Sequence, residues 1–393
     1  MKNSPDSARD FSVILGGPLY QLLLRSHLTG PHLALLYRRM FFIAAIAWLP
    51  LLLLTLAEGR ALGGVKVPLL VDIETYARFL IALPILIAAE LLVHQRIRGV
   101  VQQFFERDIV PADQTQRFQA AMDSALRLRN SIAAEVVLLL AVLVLGPVAW
   151  RNGLVLPVDT WYADVSGETI TLTRAGWWFI HASIPIFQFI LLRWYFRLFI
   201  WGRFLWQVSG LPLAVRPTHP DRAGGFAFLA GSAYSFAPVL FAQGVLLSGV
   251  IASRVLYAGQ SALDFRIEAA TLVVVFVVII VTPLLFFSPQ LAAAQRVALR
   301  EYGALASDYV HEFDRKWLRG GATAEEALVG SADIQSLADL AGSYDIVREM
   351  MPFPFGRRML IQLVVVTAVP LAPLILTVIP FRELMDRLFK VLL

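Results

Sequence analysis

The sequence has no cysteine among its 393 residues, and charged residues make up only 16% of it. Without cysteine, disulfide frameworks, cysteine-ligated metal centres and thiol nucleophiles are excluded. Soluble domains carry about 25% charged residues, whereas apolar residues here reach 58%. The composition therefore excludes a disordered, fibrous or ordinary soluble protein and predicts an all-α polytopic membrane protein.

Long apolar runs define the predicted membrane helices. A spanning helix needs about 20 mostly apolar residues. Seven runs qualify: 40–57, 79–95, 132–150, 177–199, 236–256, 267–287 and 359–380. We therefore predict transmembrane helices 1–2 within 40–95, helices 3–4 within 132–199, helices 5–6 within 236–287, and the seventh at 359–380.

The remaining segments alternate between the two sides of the membrane. One side takes the N-terminal segment 1–39, a helical hairpin 96–131, a loop 200–235 and a helical region 288–358. The other takes a short β-hairpin within 151–176 and an amphipathic tail at 381–393. Together with Arg193 and Arg197 at the inner end of the fourth run, the first side holds 24 of the 34 Lys and Arg residues. Because cytoplasmic loops retain such residues, we predict a cytoplasmic N-terminus and a periplasmic C-terminus.

The seventh run contains two prolines, Pro370 and Pro373. They predict a break in this helix, which is then either a kinked spanning helix or a re-entrant hairpin that returns the tail to the cytoplasm. We favour the spanning helix because 22 apolar residues are long enough to cross the hydrocarbon layer.

A few ionisable and polar residues fall within the apolar runs and are candidates for a permeation path or binding site. Glu90 and His94 are four residues apart in the second run, Arg193 and Arg197 four apart in the fourth, and Gln243 lies in the fifth. In the alternative, the carboxylate hydrogen-bonds His94 or pairs with Arg193, and the arginines extend to the inner interface. Too few ligands accompany the histidine for a metal site, so we predict no metal and no cofactor.

The most distinctive polar stretch lies in the cytoplasmic loop, within RPTHPDRAGG at 216–225. His219, Asp221 and Arg222 precede Gly224 and Gly225 at the start of a predicted helix. Backbone N–H groups at such a position, with an arginine nearby, are suited to an anion or a lipid phosphate. The alternative is a tight turn in which the aspartate caps the helix and the glycines permit close packing.

The fifth run carries small residues at four-residue spacing, Gly244, Ser248 and Ala252. Such a stripe lets two helices approach closely, either within one protomer or between protomers. We therefore expect a homo-oligomer in the lipid bilayer, with an anionic lipid as a further partner. The net charge of +5 follows from the cytoplasmic basic residues, so no nucleic acid is expected.

Four motifs carry a family resemblance: THPDRAGG, FQFILLRWYFRLFIW, SLADLAGSYDIV and PLAPLILTVIPFREL. Through them nearly the whole chain resembles a family of uncharacterised bacterial multipass inner-membrane proteins. The resemblance implies a bacterial inner membrane and one integrated fold, and it implies no catalytic residue. The predicted topology is also similar to that of the seven-transmembrane ion channel superfamily that includes insect chemoreceptors. That likeness implies a tetramer whose last helix lines a pore, but the Thr-Tyr…Gln-Phe pattern of that helix is missing here.

Three functions follow as hypotheses. The buried charges, the small-residue stripe and the broken seventh run favour an oligomeric channel or transporter for an ion or small solute. The long cytoplasmic helices suggest instead a non-enzymatic scaffold or sensor that binds a partner or lipid. A lipid-modifying enzyme is the third, although the sequence contains no metalloprotease, phosphate-loop or nucleophile-elbow motif.

Overall fold

A computed structural model describes residues 11–18, 20–21, 35–149, 158–164, 171–323, 327–328 and 330–378. The chain is mostly helical. In chain order the helices are α1 Leu36–Ala57, α2 Ile73–Glu106, α3 Thr115–Arg129, α4 Ile132–Ala149, α5 Arg174–Ser209, α6 Ala230–Ser235, α7 Ala237–Ala258, α8 Arg266–Leu285, α9 Ser288–Phe313, α10 Ala332–Arg348, α11 Arg357–Ala368 and α12 Ile375–Val378. Short 3₁₀ turns occur at Leu69–Val71, Ala112–Gln114, Ala227–Leu229, Ala262–Phe265 and Val369–Leu374.

Among the described residues, six helices are long and apolar enough to cross a membrane, so the protein is an integral, multi-pass membrane protein. They are Leu36–Ala57, Ile73–Glu106, Arg174–Ser209, Ala237–Ala258, Ala262–Leu285 and Arg357–Thr377. Each coincides with a predicted apolar run. The remaining run, 132–150, corresponds to α4, whose described apolar part Ile132–Val144 is shorter than the others. Seven crossings and their orientation therefore stay predictions, and the amphipathic tail at 381–393 lies outside the described residues.

Two of the helices are much longer than a bilayer is thick. Helices α2 and α5 contain 34 and 36 residues, which at 1.5 Å per residue makes each about 50 Å long. The hydrocarbon layer measures about 30 Å, so each helix is long enough to extend beyond it. The predicted loop 200–235 accordingly begins with the last turns of α5 and contains α6.

An aromatic core holds these extensions together. The predicted hairpin at 96–131 is formed by the end of α2 and by α3. The ring of Phe118 in α3 lies 5.4 Å from Phe104 and 5.0 Å from Phe105. It also lies 5.6 Å from Phe204 of α5. A packed layer on the predicted cytoplasmic side therefore continues directly from the membrane helices.

The predicted β-hairpin is present as a small antiparallel sheet. Strand β1, Ala163–Asp164, pairs with β2, Thr171–Leu172. The guanidinium of Arg60 donates two hydrogen bonds to the carboxylate of Asp164, at 2.7 and 2.9 Å. This bidentate pair joins the α1–α2 connection to the sheet.

Helix α7 packs against two neighbours through glycines. A Cβ atom placed on Gly244 would lie 2.2 Å from the backbone oxygen of Thr367 in α11, and one on Gly249 would lie 2.6 Å from Cβ of Ala77 in α2. Gly244 was predicted as a packing residue, whereas Gly249 falls outside the predicted stripe with Ser248 and Ala252. Two faces of α7, rather than one stripe, make close contacts.

The prolines of the last span change the helix type without reversing the chain. Helix α11 gives way to a 3₁₀ stretch, Val369–Leu374, around Pro370 and Pro373, and α12 follows. The whole segment Arg357–Thr377 remains one helix of 21 residues. This geometry favours the kinked helix over the re-entrant hairpin.

Two of the membrane-spanning helices, α2 and α5, each contain a π-helical turn, at Ala77–Ala82 and Phe179–Ser183. The two turns face each other, since the rings of Phe79 and Phe179 are 6.1 Å apart at an interplanar angle of 81°. Such turns each add one residue to a helix and recur where helices serve a special purpose.

Candidate functional site

Three of the candidates predicted within the apolar runs, Glu90, Arg193 and Arg197, meet in one group with Arg39 and Glu135. We call these five residues the arginine–glutamate cluster. Four helices supply it. Arg39 and Glu135 lie in the first turns of α1 and α4. Glu90 comes from the middle of α2, and the other two arginines come from α5. The cluster therefore marks the level at which α1 and α4 begin.

Glu90 binds two arginines at once. Its Oε1 accepts a hydrogen bond of 2.7 Å from Nη2 of Arg197, and its Oε2 forms an ion pair with Nη2 of Arg39. All three side chains are buried. The guanidinium carbon of Arg197 also lies 4.8 Å from the centre of the Trp194 ring. Both carboxylate oxygens are therefore occupied by opposite charges.

Arg193 pairs elsewhere. Its Nη2 lies 3.5 Å from Oε1 of Glu135, so the predicted alternative pairing of Glu90 with Arg193 is replaced by a pairing with Arg39 and Arg197. Three arginines face two glutamates, which leaves the cluster with one excess positive charge. A buried pair of this kind tolerates loss of one partner poorly, because the other charge then remains buried without compensation.

His94 contacts the N-terminal segment of the chain. Its Nδ1 lies 2.8 Å from Oγ of Ser12. The backbone oxygen of Ser12 in turn accepts a hydrogen bond of 2.5 Å from Arg129, and Phe11 packs on Phe204 with 5.0 Å between the rings. The N-terminal segment is thereby fastened across α2, α3 and α5.

The RPTHPDRAGG stretch folds as a turn closed by its own aspartate. Oδ1 of Asp221 accepts hydrogen bonds from the N–H groups of Ala223 and Gly225, at 2.9 and 3.0 Å, and Oδ2 accepts one from Ala227 at 3.1 Å. His219 Nδ1 lies 2.9 Å from Oδ1. Partial burial acts to raise the pKa of the Asp221 carboxyl, but the three N–H donors and His219 outweigh it and lower that pKa below its usual value.

This geometry bears on the predicted anion site. The three backbone N–H groups suited to an anion already bind the Asp221 carboxylate, and Arg222 forms an ion pair of 2.7 Å with Glu349. Gly224 and Gly225 adopt positive φ values of 62° and 93°. A Cβ on Gly224 would lie 2.6 Å from Val215. The contacts match the alternative of a capped turn with close packing, and an anion here stays a prediction without support from these N–H groups.

Gln243 lies buried in α7, and its Nε2 has no hydrogen-bond partner. Among the described residues, no group of three or more His, Asp or Glu side chains could hold a metal ion.

Sequence reasoning missed two members of the arginine–glutamate cluster, Arg39 and Glu135, and it also missed Ser12, which contacts His94. Arg39 directly precedes the first apolar run, and Glu135 opens the third, so both read as ordinary terminal charges. A signal in the sequence could have identified Arg39 and Glu135. Each lies at the start of an apolar run, and the distribution of basic residues places both starts on the same side of the membrane as Arg197. Comparisons of the chain with protein-family models, curated proteins and solved structures find no match.

Proposed function

We propose that the protein is a non-enzymatic membrane scaffold that self-associates through a helical arm. The arm consists of α9, the following π-helical turn Asp314–Leu318, and α10. One observation carries the proposal: from Glu301 to Ile346, none of the described residues is fully buried. A pair of helices this exposed has little core of its own, and further packing against another helix would supply one.

The arm is nevertheless an ordered hairpin. At its tip, Asp333 accepts hydrogen bonds of 2.9 Å from Lys316 and from the indole N–H of Trp317, and its backbone oxygen accepts one from Tyr309. At its base, the amide of Gln295 donates to the backbone oxygen of Met350 at 2.7 Å. These contacts at both ends fix the two helices antiparallel and leave their outer faces available.

Those outer faces carry large apolar side chains. Leu305 of α9 is 53% exposed and Ile334 of α10 is 47% exposed. Helix α9 and its π-helical turn also contain equal numbers of acidic and basic residues, four of each between Ser288 and Leu318. A neutral, partly apolar surface suits a second copy of itself better than it suits an anionic headgroup. The expected homo-oligomer would then form through the arms.

Single cysteines test this proposal cleanly, because the chain has none of its own. We expect Leu305→Cys to form a disulfide-linked dimer of the full chain when membranes are treated with a mild oxidant. The matched control is His311→Cys, which lies about 240° around α9, given 100° per residue, and should stay monomeric. Dimers from both variants, or from neither, would contradict pairing through this face.

A channel or transporter remains the second candidate, and one observation favours it. The 3₁₀ stretch of the last span packs directly on Gly244 of α7, since Cγ of Pro370 would lie 3.1 Å from a Cβ there. The neighbouring residue Gln243 has a buried, unpaired Nε2. Broken helices beside polar groups are typical of transporter binding sites. Against it, Glu90 is paired with two arginines and so offers a permeating ion no vacant oxygen.

Flux measurements distinguish the two candidates. If the protein is a channel or transporter, the purified protein in liposomes will show ion or solute flux. Gln243→Leu will then alter that flux without affecting the dimer formed through the arm. A scaffold would give no flux under any applied voltage, with the Leu305→Cys dimer intact. The lipid-modifying enzyme gains no support, because Glu90 and His94 lie in α2 whereas His219 and Asp221 form a self-contained turn.

Location and topology belong to the same proposal. A bacterial inner membrane, a cytoplasmic N-terminus, seven crossings and a periplasmic C-terminus would put the arm in the cytoplasm. The basic residues support this orientation, because 24 of 34 lie on the arm side.

A further inference from the structure

An apolar cleft lies between α5 and α8 on the outer surface of the bundle. It has a volume of about 800 Å³ and is open to the surroundings. Its walls include Tyr195, Phe199, Arg203, Trp206, Val278 and Phe286. The two helices meet at its floor, where a Cβ on Gly202 would lie 3.4 Å from Pro283. Ligand sites commonly enclose about 300–1,000 Å³, so the cleft is large enough for a lipid chain.

The cleft ends in a positive charge at headgroup depth. Arg203 follows Arg197 of the arginine–glutamate cluster by six residues, or about 9 Å along α5. Arg39 and Glu135 of that cluster each lie three residues inside the start of α1 and α4, or about 4.5 Å. Arg203 therefore lies about 4.5 Å beyond the level at which these two helices begin, within the thickness of a headgroup layer, which is about 5–7 Å. Phe199 and Trp206 flank Arg203 and are 58% and 61% exposed. Exposed aromatic residues of this kind anchor proteins at the membrane interface.

Arg203 retains donors for a ligand. Its Nη1 donates a hydrogen bond of 2.8 Å to Oγ of Ser124 in α3. A guanidinium has five N–H donors, and the bond to Ser124 fixes its position while using one of them. Planar guanidinium groups bind phosphate through paired hydrogen bonds.

We propose that the α5–α8 cleft binds one anionic phospholipid, with an acyl chain between the two helices and the headgroup phosphate on Arg203. The apolar walls select for a hydrocarbon chain, and the single cation at the cleft end complements an added negative charge. This site is separate from the RPTHPDRAGG turn and independent of the arm.

Native mass spectrometry of the detergent-solubilised full chain tests the site with two probes, palmitoyl-oleoyl phosphatidylglycerol and the phosphatidylcholine with the same chains. One arginine near a membrane surface favours an anionic lipid by about fivefold in affinity. We expect the wild-type protein to prefer phosphatidylglycerol by that factor and Arg203→Gln to bind both lipids equally. Val278→Trp, which fills the cleft from a position already 55% exposed, should reduce binding of both.

Two controls separate the site from general charge and from local packing. Arg216→Gln removes an equally charged, exposed residue outside the cleft and should keep the preference. Ser124→Ala removes the hydrogen bond to Arg203 but leaves its charge, and should also keep it. The proposal is overturned if Arg203→Gln retains the preference, if Arg216→Gln loses it equally, or if Val278→Trp has no effect. It is also overturned if Val278→Trp instead dissociates a dimer, because the cleft would then hold a second copy of the chain.

Discussion

At the scale of single residues, the arginine–glutamate cluster turns charges that would be costly in a bilayer into a joint between four helices. Glu90 is central to this joint, because its carboxylate contacts two arginines, Arg39 and Arg197. Each arginine comes from a different helix, so a single side chain on α2 holds α1 and α5 together.

Replacing Glu90 with glutamine should therefore be strongly destabilising. Glu90→Gln leaves two buried guanidinium groups without a counter-charge, and the loss of one partner of a buried pair costs about 3–5 kcal/mol. Thermal unfolding in detergent, followed by tryptophan fluorescence, measures the effect. Glu268→Gln, at the exposed start of α8, is the matched control and should change little. Equal stability of the two variants would mean that the cluster is not a structural joint.

The Asp221 carboxyl should make the stability of the protein depend on pH. Its pKa is lowered in the folded protein, so its stabilisation is complete above the unfolded pKa of about 3.9 and is lost as the pH falls through the folded pKa. Asp221→Asn should cost about 1–3 kcal/mol at neutral pH. The difference from wild type should shrink in acid, and a difference that stays constant from pH 7 to pH 3 would contradict this account.

Glycines decide the packing at the scale of helices. Helix α7 approaches α11 at Gly244 and α2 at Gly249, where a methyl group would meet a backbone atom or a neighbouring Cβ. Gly99 in α2 is different, because a Cβ there meets nothing within 4 Å. Substitution by alanine should therefore act in opposite directions at positions 244 and 99.

We expect Gly244→Ala to destabilise the protein by about 1–3 kcal/mol through overpacking. Gly99→Ala should stabilise it by about 0.5–1 kcal/mol, because alanine is favoured over glycine within a helix. Unfolding temperatures of the two variants in one detergent provide the measurement. If both shift the same way, close helix contact is not what constrains α7 at Gly244.

Helix positions could be predicted from sequence because a bilayer demands long apolar runs, and all six spans coincide with such runs. The contacts between residues of different helices could not be predicted, because the sequence indicates the depth and periodicity of each helix but not which helices are neighbours. Glu90 and Arg197 stood out as charges in apolar runs, yet Arg39 became visible only when α1 was packed beside α2. The packing role of Gly249 was not predicted for the same reason, since the four-residue spacing from Gly244 led to Ser248 instead.

At the scale of the whole molecule, the protein combines a membrane bundle with a packed layer and an arm on one side. The long helices α2 and α5 join the bundle to the layer, and α9 follows α8 after Phe286 and Phe287 alone. Because the arm has no buried residue between Glu301 and Ile346 among those described, it can move or pair without disturbing the bundle.

Cysteine labelling tests the predicted orientation of the whole protein in the membrane. Gln260→Cys lies in the α7–α8 connection and His311→Cys lies in the arm, on opposite sides in the predicted topology. In intact bacterial cells, a membrane-impermeant maleimide should label position 260, and it should label position 311 only after permeabilisation. The reverse pattern would invert the topology and place the arm outside the cytoplasm.

The π-helical turns also determine the direction in which the residues of the arginine–glutamate cluster face around their helices. Each residue rotates an α-helix by about 100°, and the turn at Ala77–Ala82 adds one residue to α2 before Glu90 is reached. The added residue therefore rotates every side chain of α2 that follows the turn. Removing one residue there would swing Glu90 about a quarter of a circle away from Arg39 and Arg197, although every contact partner remained in the sequence. The paired turn at Phe179–Ser183 determines in the same way the direction in which Arg193 and Arg197 face. The ion pairs therefore depend on two matched single-residue insertions, which lie 8 to 18 positions before the charged residues.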